Sequence, residues 1–139
     1  MAYATKSISF GVTASTTYEN PYALARKFAA LDQITEGRIG WNIVTSYLDS
    51  AARSYGLDDQ IPHDERYARA DEFMEVVYKL LESSWQDGAV LKDKKSGIYA
   101  NPEAVRRIDH DGWGLSAPVS IQKLTSNQKI LQVCWTQSG

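Results

Sequence analysis

The chain has one cysteine, Cys134, and two histidines among its 139 residues. An intrachain disulfide is therefore impossible, and one thiol with two imidazoles falls short of the usual zinc ligand set. A reducing, intracellular setting fits. Long apolar runs are also missing: no stretch approaches the ~18 apolar residues that a bilayer crossing needs. The N-terminal "MAYATKSISF" has neither a basic n-region nor a long apolar h-region. A cytoplasmic location is expected. Neither charge sign is in large excess. A net charge of −2 offers no clustered basic surface for nucleic acid or an anionic membrane, so neither is expected as a partner. No GxGxxG, GxxxxGK[ST] or GxSxG occurs, so a dinucleotide fingerprint, a Walker loop and a hydrolase nucleophile turn all lack support.

The residues present are those of an ordinary globular domain, 43% hydrophobic and 23% charged. A chain of this length typically buries about two-thirds of its unfolded surface, so one domain is the starting expectation. "SISFGVTA", residues 7–14, reads as a short buried strand with Ile8, Phe10 and Val12 on alternate positions and Gly11 allowing close approach. Asn20 is a good N-cap and Pro21 suits the first helical position. Leu24, Phe28 and Leu31 then recur at helical spacing until Gly37 supplies a C-cap, which predicts a helix over about 21–34. "GRIGWNIVTS", residues 37–46, contains a second strand built on Ile39, Trp41, Ile43 and Val44. Strand, helix and second strand with a connection of this length describe a right-handed βαβ unit with parallel strands.

A polar connection leads to the strongest helical pattern, about residues 63–85, where Tyr67, Ala70, Met74, Val77 and Leu81 recur at three- and four-residue steps. From Gln86 to Gly114 the composition suits a surface excursion with one hairpin, and "QKILQVCWTQSG" suits another short strand.

Hydroxyls crowd both strand exits: Thr13, Ser15, Thr16 and Thr17 on the first, Thr45 and Ser46 on the second. They suit turns, and they also suit a ligand, which in α/β folds sits beyond the carboxyl ends of the strands. Asn42 is an amide in an apolar strand, and buried it needs a hydrogen-bonding partner, either an internal network or a ligand. His63 and Tyr67 stand four residues apart at the start of the long helix and can point at one ligand. Equally, His63 can be a polar residue at the helix start, Asp64 its cap and Tyr67 the first core residue. "DHDG", residues 109–112, reads as a turn, and no metal site is expected.

Two long stretches go further. "FGVTASTTYENPYALARKFAALDQITEGRIGWNIVTSYLDSAAR" and "HDERYARADEFMEVVYKLLESSW" closely resemble the bacterial-luciferase-like flavin monooxygenases, in the branch of nitrilotriacetate, dibenzothiophene-sulfone and long-chain alkane monooxygenases. The resemblance runs from about Ser7 to Gly112. It implies an α/β fold, part of a (β/α)8 barrel with two to three parallel strands and covering helices. It implies a two-component reaction with reduced FMN from a separate NAD(P)H-dependent flavin reductase, and with O2 and a small organic substrate as co-reactants. The cofactor carries such chemistry while the protein orients it and excludes water. By the same resemblance, Thr13, His63 and Tyr67 fall at flavin-contacting positions. Asn42 joins them from its place in the second strand.

The family's barrel has two strand-and-helix units before the one that Met1 precedes, and its later strands hold the flavin phosphate. The expectation is thus a partial barrel over residues 1–112, a divergent tail over 113–139, and a truncated form of the enzyme. A complete barrel takes roughly 250 residues and closes its sheet edges. Two or three strands cannot close, so an exposed edge and homo-oligomers through it are expected. The alternative is a non-catalytic partial barrel that binds flavin weakly or serves an assembly role.

Overall fold

The computed structural model describes residues 1–112 and 131–132. Its elements are β1 (Phe10–Ser15), α1 (Pro21–Thr35), β2 (Ile39–Val44), α2 (Asp49–Ser54), α3 (His63–Tyr78), β3 (Val90–Asp93), β4 (Ile98–Ala100) and β5 (Leu131–Gln132). β1 and β2 run parallel in a register from Phe10 opposite Ile39 to Ser15 opposite Val44. β5 pairs parallel with β2 at Gly40 and Trp41, giving the order β1-β2-β5. The rest of the C-terminal tail lies outside the described residues.

Local chemistry accounts for the crossover helix. Asn20 Oδ1 accepts from the Ala23 N–H at 3.1 Å and Pro21 fills the first helical position. The chain leaves α1 through a left-handed Glu36 (φ 53°), with Gly37 (φ 80°) extending the turn, so the left-handed cap stands one residue earlier than expected. The Gly37 N–H then bonds Asp32 O. Ile8 departs from the expected strand: it is 51% exposed and pairing begins at Phe10. Gly11 makes no close approach either, because a Cβ there would meet open space.

Alternation along the strands sorts the residues onto two faces. Phe10, Val12 and Ala14 of β1 and Ile39, Trp41 and Ile43 of β2 turn toward the helices. There they join Leu24, Ala25 and Phe28 of α1 and Phe73, Met74 and Val77 of α3 in one core. Trp41 is its centre. Its ring lies 5.4 Å from Phe28 and 6.2 Å from Phe73, and its Nε1 donates to Ala14 O at 3.0 Å, which leaves the buried indole satisfied. Both helices therefore cover the same face of the sheet. On the opposite face Gly11 and Thr13 are exposed and Asn42 is half-buried.

α3 starts at His63 as expected but without a side-chain cap; Asp64 instead takes His63 Nδ1 at 2.9 Å. The predicted helix continues as a π-helical turn over Lys79–Ser83 that buries Leu80 and Leu81. The expected hairpin is β3–β4, an antiparallel pair. Its turn is tied by Asp93, whose carboxylate accepts from Ser96 Oγ at 2.6 Å and the Lys95 N–H at 2.9 Å. The Ser96 bond first and the Lys95 bond second hold the Asp93 carboxyl below its ordinary value. "DHDG" is more than a turn. His110 is buried against α3, with Nε2 3.2 Å from Glu72 Oε1 and Nδ1 3.3 Å from Lys79 Nζ. No helix among the described residues is long and apolar enough to cross a membrane.

Candidate functional site

Parallel pairing brings both hydroxyl-rich strand exits to one end of the sheet. There the hydroxyls first serve the backbone. Thr16 Oγ1 donates to Val44 O at 3.4 Å beside the Thr16 N–H, which donates to the same oxygen at 2.9 Å, and Thr17 Oγ1 donates to Thr45 O at 2.5 Å. Ser46 Oγ donates to Ser15 Oγ at 3.0 Å, from a residue whose backbone is left-handed (φ 58°). A serine held in that conformation stores strain of ~1–3 kcal/mol, of the kind that gathers at binding sites.

Beyond Ser46 the chain forms α2 within the segment read as a plain connection, and returns to α3. These pieces enclose a cavity of about 230 Å³, lined by Val44, Thr45, Ser46, Tyr47, Leu48, His63, Arg66 and Tyr67, with Ile43 and Ala51 completing its apolar part. His63 and Tyr67 lie on one face of the first turn of α3, ring centroids 4.6 Å apart at 33°. The His63 side chain is 66% exposed, and Asp64 engages its Nδ1, which leaves Nε2 as the ring atom able to face a ligand.

Thr13 and Asn42 form a second pair. They are register partners on the face away from the helices, where Asn42 Nδ2 donates to Thr13 Oγ1 at 3.1 Å. The structure thus brings His63 to Tyr67 and Thr13 to Asn42. Thr13 and Asn42 do not line the cavity; the next register pair along the same face, Ser15 and Val44, stands between, with Val44 in the cavity wall.

Two residues of this region escaped the reading of the sequence. Arg66 is 9% exposed, donates from Nη1 to Ile61 O at 2.7 Å, and has a buried Nε with no hydrogen-bond partner among the described residues. Its signal was present: it stands three residues after His63, on the same helical face. Gln60, in the turn before α3, bonds to Tyr18, Leu48 and Ile61. Nothing in its local sequence announces that role.

A cavity at the carboxyl ends of parallel strands, walled by the following helix, is where α/β barrels bind their ligands. The family model described as luciferase-like monooxygenase matches residues 1–124. Dimethyl-sulfide monooxygenase of Hyphomicrobium sulfonivorans is 54% identical over 118 residues, which are 85% of this chain and 25% of that protein. Long-chain alkane monooxygenase of Geobacillus thermodenitrificans is 51% identical over 118 residues, 85% of this chain and 27% of that protein. A riboflavin lyase solved with a modified FMN and riboflavin superposes with a TM-score of 0.81 at 40% identity, over 89% of this chain and 28% of the lyase. The chain spans about a quarter of the length of the curated relatives it matches. The parallel strands β1 and β2 and the helices that cover them are part of a (β/α)8 barrel. By sequence and by fold, the chain belongs to the luciferase-like monooxygenase family.

Proposed function

We propose that this chain carries part of the flavin site of an FMN-dependent, two-component monooxygenase. The observation that carries this reading is the His63–Tyr67 ring pair beside buried Arg66 in a cavity at the strand carboxyl ends. Arg66 tests the fit. A buried guanidinium nitrogen without a partner is costly, and an anionic or carbonyl-bearing ligand in the cavity would satisfy it. His63 and Tyr67 would flank the flavin, Arg66 would meet an anionic group on it, and Thr13 and Asn42 would offer a hydroxyl and an amide from the sheet face. Ile43, Leu48 and Ala51 would keep water from that side. When bound, reduced FMN supplies the activation of O2 that no side chain can.

A separate NAD(P)H-dependent flavin reductase as FMN source, O2 and a small organic substrate are the partners this reading requires. It places residues 1–112 as the barrel portion and 113–139 as a divergent tail, working in the cytoplasm. The cavity's 230 Å³ lies below the ~300–1,000 Å³ of whole-ligand pockets, so it takes part of a flavin and leaves the remainder over the open face of the sheet. That size favours, as a second reading, a non-catalytic partial barrel that binds flavin weakly or serves an assembly role.

Anaerobic titration with photoreduced FMN tests both readings, followed by turnover with a flavin reductase, O2 and sulfide, alkane, sulfone or aminopolycarboxylate substrates. Saturable binding with an oxygenated product supports the enzyme. Binding without product supports the second reading. No binding rejects the flavin site.

A further inference from the structure

We infer that Gln60 is a positioning residue for the cavity, an amide clasp that sets its strand-exit wall against its helix wall. The inference rests on the flavin reading for its functional consequence and on the hydrogen bonds for its existence. Gln60 Oε1 accepts two bonds, from Tyr18 OH at 2.9 Å and from the Ile61 N–H at 3.0 Å, while Nε2 donates to Leu48 O at 3.3 Å. The amide's orientation follows from these partners. Reversed, it would set its NH2 against the Ile61 N–H and its oxygen against the Leu48 carbonyl, donor on donor and acceptor on acceptor.

Each partner belongs to a different piece of the site. Leu48 precedes α2 and lines the cavity. Ile61 precedes α3, and its carbonyl accepts from Arg66 Nη1 at 2.7 Å, so whatever moves Ile61 moves the buried guanidinium. Tyr18 comes from the β1–α1 connection and is itself held by stacking on Tyr55, ring centroids 4.5 Å apart and 6° from parallel. One half-buried side chain therefore joins the β1 exit, the β2 exit and the approach to α3. Gln60 ties the start of α2 to the approach to α3 and lies outside the hydrophobic core, so the clasp acts on the cavity's width more than on the core.

Two variants test this in the full chain. Gln60→Met keeps the length and loses all three bonds. Gln60→Glu keeps both accepted bonds but sets a carboxylate oxygen against the Leu48 carbonyl. Amide hydrogen exchange should quicken over residues 45–48 and 61–66 in Gln60→Met and chiefly over 45–48 in Gln60→Glu, by more than the shift in the urea midpoint of the whole chain accounts for. FMN binding should weaken about tenfold in both variants, the scale of one net hydrogen bond. Unchanged exchange in both segments overturns the clasp, as does Gln60→Glu behaving like the unaltered chain. Quickened exchange with FMN affinity within about twofold of the unaltered chain, under half of a kcal/mol, overturns the positioning role. Failure of the unaltered chain to bind FMN rejects the flavin reading, and exchange then decides the clasp alone.

Discussion

Replacing Arg66 by Met separates a ligand-binding cation from a structural one. Arg66 is 9% exposed, and its hydrogen bond to Ile61 O, 2.7 Å long, is charge-assisted and so contributes ~1.5–3 kcal/mol. Against this stands the buried Nε, without a partner among the described residues, which costs ~1–3 kcal/mol, together with the desolvation of the charge itself. Met fills similar length with no polar atom, so the loss and the relief nearly cancel. The free chain should change by ~1 kcal/mol in either direction, a Tm shift of ~3–4 °C for a domain of this size. Flavin binding has no such compensation. Losing a charged, water-shielded donor should weaken FMN by about 10- to 150-fold, the equivalent of ~1.5–3 kcal/mol. The assay is anaerobic fluorescence or absorbance titration beside thermal unfolding, repeated with riboflavin. A loss confined to FMN assigns Arg66 to the phosphate, and an equal loss with riboflavin assigns it to the ring. A large fall in Tm with unchanged affinity for both flavins would refute the reasoning, since Arg66 would then serve the fold.

Other expectations are simpler. His63→Ala removes an exposed ring and its contact with Tyr67, so unfolding by urea should shift by ~0.5–1.5 kcal/mol at most while flavin affinity falls; an unmoved dissociation constant counts against the site, and Thr13→Ala is read the same way. Trp41→Ala should cost ~3–5 kcal/mol, enough to unfold a marginal chain, because the ring fills the gap between Phe28 and Phe73; a native near-ultraviolet spectrum and urea midpoint would contradict this. Glu75 supplies a pH test. The hydrogen bond from Lys79, then the charge of Lys79, hold its carboxyl below 4.5, with His110 adding a smaller push the same way against the effect of burial. A folded value below the unfolded one makes the stabilisation complete above the ordinary glutamate range and lost as pH falls through the folded value. Glu75→Gln should therefore flatten the acid side of the stability profile; an acid limb unchanged from that of the parent chain would point to another group.

Much of this protein can be read one residue at a time. Asn20 and Pro21 start α1 because a side-chain oxygen and a ring-locked φ satisfy a helix start whatever surrounds them. Alternate apolar residues from Ile39 to Ile43 make a strand, and helical spacing from Ala70 to Leu81 makes a long helix, because periodicity alone decides which face can be buried. The strand exits, with their hydroxyls and the His63–Tyr67 spacing, were likewise visible as chemistry awaiting a place.

Long-range pairing decided the remainder. Ile8 continues the alternation of β1 and is nonetheless exposed, because no strand pairs with that part of the chain among the described residues. His110 looked like a turn residue until α3 offered it Glu72, and Gln60 looked like a loop residue until Tyr18 and Leu48 came within reach of one amide. Arg66 could be placed on a helical face from its number, yet its burial beside a cavity depends on where β2 and α2 end. Periodicity, capping and turn chemistry act over a few residues and are carried by the sequence itself. Which donors stay unpaired, which hydroxyls meet, and how large a cavity remains depend on segments 30 or more residues apart, as Ser15 and Ser46 are, and only the folded chain brings those together.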